Sequence, residues 1–296
     1  MSQNLPQIFA QQYSTTIALL LQQKMSKIRP FVASGSHVGK QASPVDQIAA
    51  ISMIPVSTRF APMGRVDAAV DRRWCLPEDY DLPQLIDNFD KLKLLTDPTS
   101  SYVQNAVAAA NRKMDEVIVN AFFGTAKTGE TGATSTTFPA ANQVSVSFGA
   151  AANTGLTVAK LREAKRLLMG YEVDLESDPI TAIVTAKQHD DLLKEVQIIS
   201  SDFNGNDAVL KEGMVSRFLG INIVQCERLG VDGSSFRRVP VFAKSGMYLG
   251  LWNDIQTDIS QRKDLQSLPY QVYLSMSVGA TRLEENKTIE IKCSEA

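Results

Sequence analysis

Apolar residues recur at helical spacing through one long central stretch of the chain. They form a single stripe made of Val103, Ala106, Val107, Ala110, Met114, Val117, Ile118 and Ala121. The opposite face carries the polar and charged residues Gln104, Asn111, Arg112, Asp115 and Glu116. Asp97 is a good N-cap, Pro98 suits the first helical position, and Gly124 suits a helix end. The pattern predicts one helix over about 98–123, roughly 37 Å long at about 1.5 Å per residue.

The rest of the sequence divides between shorter helices and strands. An amphipathic pattern predicts a helix over about 6–28, and the small polar residues at 33–45 are typical of a flexible arm or a surface loop. The Gly-, Ala- and Thr-rich stretch 124–155 reads as a loop with one short strand at 143–148. Further helices are predicted at 157–169 and 187–199, and strands at 180–185, 219–226, 239–242, 247–251, 271–278 and 287–293. The mixture is α+β and fits neither a Rossmann sheet nor a barrel.

One segment before the long helix has the pattern of a projecting β-hairpin. Residues 48–60 and 66–75 are rich in apolar and β-branched types, and Ala61-Pro-Met-Gly64 between them suits a type I turn. Pro55 favours an edge strand, because proline cannot donate to a ladder. A two-stranded hairpin is marginal alone, so this one must lie on something, unless it is an ordinary edge of the main sheet. It carries the positive charges of Arg59, Arg65, Arg72 and Arg73.

Composition and charge narrow the class of protein. The 296 residues are 44% hydrophobic, and 30 basic against 32 acidic side chains leave a net charge of −2, so no global attraction for nucleic acid is expected. No apolar run reaches the length of a membrane span, and no secretory signal precedes the first helix. Cys75, Cys226 and Cys293 are odd in number and far apart, which indicates reduced thiols. These features predict a soluble cytosolic product.

Three motifs suggest chemistry, and each departs from the pattern that the chemistry requires. The stretch 124–131 is close to a phosphate-binding loop, but Glu130 replaces the lysine that contacts the phosphates. The stretch 202–207 begins like a calcium loop, but Asp207 stands where glycine is needed and Gly213 where the bidentate glutamate is needed. His189 lies in the first turn of a predicted helix with no nucleophile motif to accompany it. We therefore expect no catalytic, cofactor-binding or metal-binding residues.

The order of the segments, and several local runs, resemble the major capsid proteins of tailed bacteriophages. That family has the Hong-Kong-97-type fold, and the likeness is to its podovirus-like branch. The runs are Ala109-Ala-Asn-Arg-Lys-Met-Asp115, Ala121-Phe-Phe-Gly124, Ile183-Val-Thr-Ala-Lys-Gln188 with Leu192-Leu193, Ser201-Asp-Phe-Asn204 followed by Gly213 and Phe218-Leu-Gly-Ile221, and Gly279-Ala-Thr-Arg-Leu-Glu284. The resemblance covers nearly the whole chain.

The resemblance implies a division of the chain into four parts. Residues 1–45 would be an N-terminal arm, and 46–90 an extension loop whose β-hairpin reaches over a neighbouring subunit. Residues 91–174 and 266–296 would form a peripheral domain with the spine helix at about 98–123, and residues 175–265 an axial domain at the centre of each capsomer.

The resemblance also implies a function and partners. It predicts a major capsid protein, not an enzyme, that self-assembles as pentamers and hexamers into the icosahedral head shell of a tailed phage. The shell would enclose double-stranded DNA without sequence-specific binding or contact with a membrane, and would be assembled in the host cytoplasm. A separate scaffolding protein and a portal are the expected partners, with a decoration protein as an optional one. An encapsulin-like nanocompartment shell and a cytosolic enzyme with an unrecognised site stay open as alternatives.

Two sets of residues are expected to carry that structural role. The arginines of the hairpin should pair with acidic groups on a neighbouring subunit, and they are Arg59, Arg65, Arg72 and Arg73. The apolar stripe should hold the long helix onto its sheet, chiefly through Val107, Met114 and Ile118.

Overall fold

The computed structural model describes residues 22–39, 46–56, 58–59, 64–86, 99–195, 198 and 213–295. Three α-helices lie in these ranges: α1 is Thr99–Phe123, α2 is Val158–Gly170 and α3 is Ala186–Leu193. The strands β1 to β14 are, in chain order, Ala33–Ser36, Asp46–Ile48, Val70–Trp74, Glu78–Ile86, Ala126–Thr128, Thr134–Thr136, Gln143–Val144, Ile180–Val184, Arg217–Phe218, Ile221–Gln225, Arg237–Ala243, Met247–Gln261, Tyr270–Arg282 and Thr288–Cys293. The predicted α+β class is confirmed.

Two compact units are built from discontinuous stretches of the chain. The first comprises Met1–Ser26, Asp79–Lys113 and Asn253–Ser277, and the second comprises Lys27–Glu78, Met114–Trp252 and Val278–Ala296. The domain boundaries implied by the resemblance are functional assignments and stay predictions.

The main sheet lies in the second unit and has six strands in the order β7-β14-β11-β8-β10-β9. Strands β8 and β10 are parallel, while β11 runs antiparallel to both β8 and β14. All five residues of β8 are buried, so its sequence does not alternate between apolar and polar residues; Thr181 is its one polar member. This sheet forms the core of the second unit.

Helix α2 packs against β14 at the edge of that core. Its buried face includes Leu161, Ala164 and Leu168, and the Thr157 hydroxyl accepts from the backbone N–H of Lys160 at the N-terminus. Helix α3 begins with a capping box and ends at Leu193. The chain turns there, because the amide of Lys194 bonds back to the carbonyls of Asp191 and Leu192. Of the predicted continuation to 199, residues 196, 197 and 199 lie outside the described residues.

A second sheet has the order β1-β12-β13-β4. Strand β1 pairs in parallel with residues 248–251 of β12, so residues 33–36 form a strand and not part of a flexible arm as predicted. The small residues there have a packing reason: a Cβ on Gly35 would lie 2.0 Å from the Tyr248 hydroxyl. The absence of a side chain at Gly35 therefore allows the Tyr248 ring to pack closely against the backbone of β1.

The N-terminal helix predicted over about 6–28 falls mostly outside the described residues. Its last part, 22–28, is described and is not helical. Instead, Arg112 and Asn111 of α1 donate to backbone carbonyls of Gln23 and Lys24, at 3.2 and 3.0 Å. Side chains of α1 therefore provide hydrogen bonds to the backbone carbonyls of residues 23 and 24, which would otherwise be provided within a helix.

Within the described residues, the predicted hairpin forms strands only at its base. Strand β2 pairs antiparallel with β3, with Asp46 opposite Arg72, and one further bond joins the Ala49 amide to the Ala69 carbonyl at 2.8 Å. Beyond it, residues 50–56 and 64–69 have no strand pairing within the described part of the chain. The expected tip at 61–63 lies outside the described residues. The physical reason for the short pairing is that a lone two-stranded ribbon is marginally stable.

Residues after α1 are more ordered than the loop predicted for 124–155. Strands β5 and β6 form a hairpin, and β5 also pairs with β3. The resulting small sheet, β2-β3-β5-β6, supports the base of the predicted hairpin.

Candidate assembly surface

A run of exposed apolar side chains lies between β2 and β3. We call residues 49–56 and 64–69 the hairpin segment. Met53 is 101% exposed and Val56 is 89% exposed, while Ile51 and Ile54 are 63% and 61% exposed. Contiguous apolar surface of this kind typically marks a place that another molecule covers.

Arg72 lies at the base of the hairpin and joins its two strands. Its guanidinium donates twice to the Asp46 carboxylate across the β2–β3 pair, at 2.6 and 3.0 Å. That pairing raises the pKa of Arg72. The pair is exposed, so it contributes little stability and its charges are accessible to other molecules.

Arg59 and Arg65 lie in or beside the hairpin segment and are exposed. Arg65 forms an ion pair with Asp67 at 2.7 Å, and both side chains are largely exposed. An exposed ion pair of this kind contributes little stability, so Arg65 could bind an acidic group of another molecule instead. The expected contacts with a neighbouring subunit stay a prediction for Arg59, Arg65 and Arg72.

Arg73 has a different environment, because alternation along β3 turns it inward. It is only 6% exposed, and its guanidinium donates twice to Glu285 of the same chain, at 2.9 and 2.5 Å. In the single chain its guanidinium is committed to this internal bond. The expected contact between Arg73 and a neighbouring subunit stays a prediction.

The chain next to Glu285 also binds the end of α1. Arg282 is fully buried, and its Nη1 donates to the carbonyls of Phe122 and Gly124, each at 2.5 Å. Its Nη2 donates to the Thr136 carbonyl at 3.2 Å. These carbonyls include some that a helix terminus leaves unsatisfied, so the cation caps the helix where its dipole is negative. We call residues 282–285 the junction segment.

The predicted stripe on α1 is buried in part. Met114 is 0% and Ile118 is 1% exposed, whereas Val107 is only half-buried. Near the helix end, the rings of Phe122 and Phe242 lie 5.9 Å apart, which seats this end against β11 of the main sheet. The role of Val107, Met114 and Ile118 in holding the helix onto a sheet stays a prediction.

Asp115 is a structural residue that the helical pattern assigned to the polar face. It is fully buried, and its carboxylate accepts the backbone N–H groups of Lys27 and Ile28, at 3.1 and 3.3 Å. No local signal could have identified it, because its partners lie 87 or more positions away.

Lys160 is a second buried charge that the sequence pattern did not single out. Its ammonium donates to the carbonyls of Thr154, Gly155 and Lys292, at 2.8, 2.8 and 3.0 Å. Burial lowers its pKa. All three ammonium protons are used by backbone acceptors, so Lys160 joins the 154–155 turn to β14.

The two histidines are hydrogen-bonded within the chain, and the cysteines are buried. His189 accepts the Val215 backbone N–H at 3.0 Å, and His37 is hydrogen-bonded to Tyr248 at 2.6 Å. The three cysteines are free and buried, and burial raises the pKa of Cys75 and Cys293 to about 12.

The motifs with suggestive chemistry are not assembled into a site. Glu130 lies in the turn between β5 and β6, and the stretch 202–207 lies outside the described residues. In the ranges that the structure describes, no group of three or more His, Cys, Asp or Glu side chains could hold a metal ion. No helix in those ranges is long and apolar enough to span a membrane.

An open groove of about 530 Å³ lies beside the junction segment in the second unit. Two of the acidic side chains that line it are bonded within the chain. Asp174 accepts the Ser177 hydroxyl at 2.6 Å, and Asp178 accepts the Ser245 amide at 3.0 Å. Each of these carboxylates accepts a serine hydroxyl, and no histidine is among the described residues that line the groove.

Comparison with known proteins identifies the family. The model of the phage capsid protein family matches residues 5–295. Among curated proteins, none matches this chain.

Solved structures agree with that assignment. The capsid of cyanophage P-SCSP1u superposes with a TM-score of 0.74 and 14% identity over 100% of this chain and 96% of that one. The capsid of cyanophage Pam1 gives a TM-score of 0.74 and 11% identity over 98% and 97%. The mature capsid of bacteriophage PhiM1 gives 0.68 and 12% over 98% and 93%.

These matches confirm the predicted resemblance, the α+β capsid fold and the role of a structural shell subunit. They give no support to the encapsulin-like alternative. The chain belongs to the phage capsid protein family.

Proposed function

We propose that this chain is the major capsid protein of a tailed phage and assembles as pentamers and hexamers into an icosahedral head. The observation that carries the proposal is the family match over residues 5–295. The bonded, structural use of the buried charges agrees with it. The protein would be assembled in the host cytoplasm and persist in the virion.

Among the described residues, the hairpin segment best fits a contact between subunits. Its apolar side chains are exposed on the single chain, with Met53 completely so. Burying such side chains favours association by about 25 cal/mol per Å² of apolar surface. We propose that the segment acts as the extension loop and lies over a neighbouring subunit, where Arg59, Arg65 and Arg72 meet acidic groups.

The remaining parts are assigned by the resemblance. Residues 1–45 would act as the N-terminal arm, residues 91–174 and 266–296 as the peripheral domain, and residues 175–265 as the axial domain. In this assignment α1 is the spine helix. Cutting the chain at these boundaries would separate strands of one sheet, so the domains are functional regions and are not expected to fold separately.

The charge of the chain indicates how it meets DNA, and the resemblance implies its protein partners. A net charge of −2 gives no strong attraction for phosphate, so the shell would enclose DNA without condensing it or reading its sequence. We propose that a portal admits the DNA and that a separate scaffolding protein sets the size of the shell. A decoration protein is an optional addition.

A substitution in the hairpin segment tests the proposed contact. Met53→Asp places a charge where the single chain leaves the side chain exposed, so the subunit should fold normally and yet fail to form shells. Val231→Asp, at a half-exposed apolar position in the turn before β11, is the matched control and should assemble. Particles can be counted by electron microscopy, and circular dichroism can confirm folding. Normal shells from the Met53 variant would contradict the proposed role of the segment.

A further inference from the structure

Two structural elements meet at the junction segment in the second unit. From one side, the base of the hairpin reaches it through Arg73 on β3 and Gln47 on β2. Arg73 binds Glu285, and the Gln47 amide donates to the Leu283 carbonyl at 2.6 Å. From the other side, Arg282 binds the carbonyls at the end of α1. Four consecutive residues therefore contact both the hairpin base and the helix terminus.

The two arginines share one carboxylate unequally. Glu285 is bonded to Arg73 at 2.5 Å, while its other oxygen lies 3.9 Å from Arg282 Nε. Within the described part of the chain, that Nε is buried and has no hydrogen-bond partner. An unsatisfied buried donor of this kind is costly, so a nearby carboxylate that becomes free will move to it.

The electrostatic environment of Arg282 agrees with this geometry. Burial lowers the pKa of Arg282, Glu285 raises it, and the charge of Arg73 lowers it. Arg282 is therefore affected by both members of the neighbouring ion pair.

We propose that the junction segment is a relay between the hairpin base and the end of α1. When Arg73 leaves Glu285, the carboxylate moves to Arg282 Nε and draws that guanidinium away from the carbonyls of Phe122 and Gly124. The last turn of α1 then loses its cap and frays. The coupling itself depends only on these contacts within the chain. If the proposed function is right, the coupling would also make the end of α1 respond when the hairpin segment binds a neighbouring subunit.

Hydrogen exchange of the full-length chain, read by mass spectrometry, tests the relay. Arg73→Met frees Glu285, and amides in the last turn of α1 should exchange about tenfold faster, the size typical of coupling between contacting charged groups. Arg72→Met is the matched control, because it breaks the neighbouring ion pair on the same strand but has no contact with the junction segment. It should leave the last turn of α1 unchanged.

The double variant separates a relay from simple loosening. In Arg73→Met/Glu285→Gln no carboxylate is left to attract Arg282, so exchange at the end of α1 should return to within about twofold of the natural chain. Glu285→Gln alone should speed exchange at β2 and β3 and leave α1 protected. If the double variant exchanges as fast as Arg73→Met, the hairpin base merely supports the helix and the relay is wrong.

A milder variant keeps the test decisive if Arg73→Met fails to fold. Arg73→Lys retains the buried charge but replaces the two-pronged bond to Glu285 with a single donor. It should raise exchange at the end of α1 by about threefold, between the natural chain and the methionine variant. No change in a folded Arg73→Lys chain would also overturn the relay. Both readouts use the unassembled subunit, so they do not depend on whether shells form.

Discussion

Asp115 allows the most direct test of how the N-terminal stretch is held. It is a fully buried carboxylate in α1 whose hydrogen-bond donors are the backbone amides of Lys27 and Ile28. Asp115→Ala would leave the buried amide of Ile28 without this acceptor and would also remove the acceptor of the partly buried amide of Lys27. Hydrogen bonds to a charged group contribute about 1.5–3 kcal/mol each, and the distances of 3.1 and 3.3 Å indicate the lower part of that range. We expect the free energy of unfolding to fall by about 3–4 kcal/mol.

Urea denaturation of the unassembled subunit measures that change, with the slope against urea as a check that unfolding stays two-state. Asp115→Asn should lose about 1–2 kcal/mol, because an amide keeps one acceptor oxygen. The matched control is Glu116→Gln at the next helix position, where the side chain is 36% exposed and lies 3.5 Å from Arg228. An exposed pair of this kind is worth about 0–1 kcal/mol. If Asp115→Ala costs no more than Glu116→Gln, the carboxylate does not anchor residues 27–28.

Three further predictions concern the core, the thiols and the shell. Met114→Ala removes a fully buried side chain and should lower the free energy of unfolding by about 2–4 kcal/mol. Val107→Ala should lower it by about 1 kcal/mol, because that residue is half-buried. Equal losses of the two variants in urea denaturation would contradict the burial argument. Burial raises the pKa of Cys75 and Cys293 to about 12, so at pH 8 these thiols should resist alkylation in the folded chain and react after denaturation, as counted by mass spectrometry. Fast labelling of the folded protein would show that the sites open. Arg65→Glu should leave the subunit folded and abolish shells in electron microscopy, and abundant normal particles would remove Arg65 from the contact.

Features governed by local periodicity could be predicted from the sequence. The apolar stripe and the terminal signals predicted a helix over about 98–123, and α1 is Thr99–Phe123. The buried apolar run at 180–184 is β8, and the runs near the C-terminus are β13 and β14. Each of these elements buries either one face or all of its residues. The order of apolar and polar residues along the chain therefore indicates the type of element.

Features set by distant partners could not be predicted. Asp115 has the residue type of an exposed helix face, and only its contact with residues 27–28 makes it a core residue. Arg73 resembles Arg72 in sequence, but the small sheet turns it inward to Glu285, 212 positions away. The hairpin segment has the composition of strands, yet strand pairing needs a partner. Within the ranges that the structure covers, the single chain supplies one only at the base.

The central claim is that this chain builds a shell, and electron microscopy of the purified full-length protein tests it most directly. The chain should be expressed alone and together with the proteins encoded beside it, so that a missing scaffold does not hide assembly. The account predicts closed shells of pentamers and hexamers in the second sample, and capsomers, sheets or irregular shells in the first. A monodisperse monomer or small dimer in both samples would contradict it.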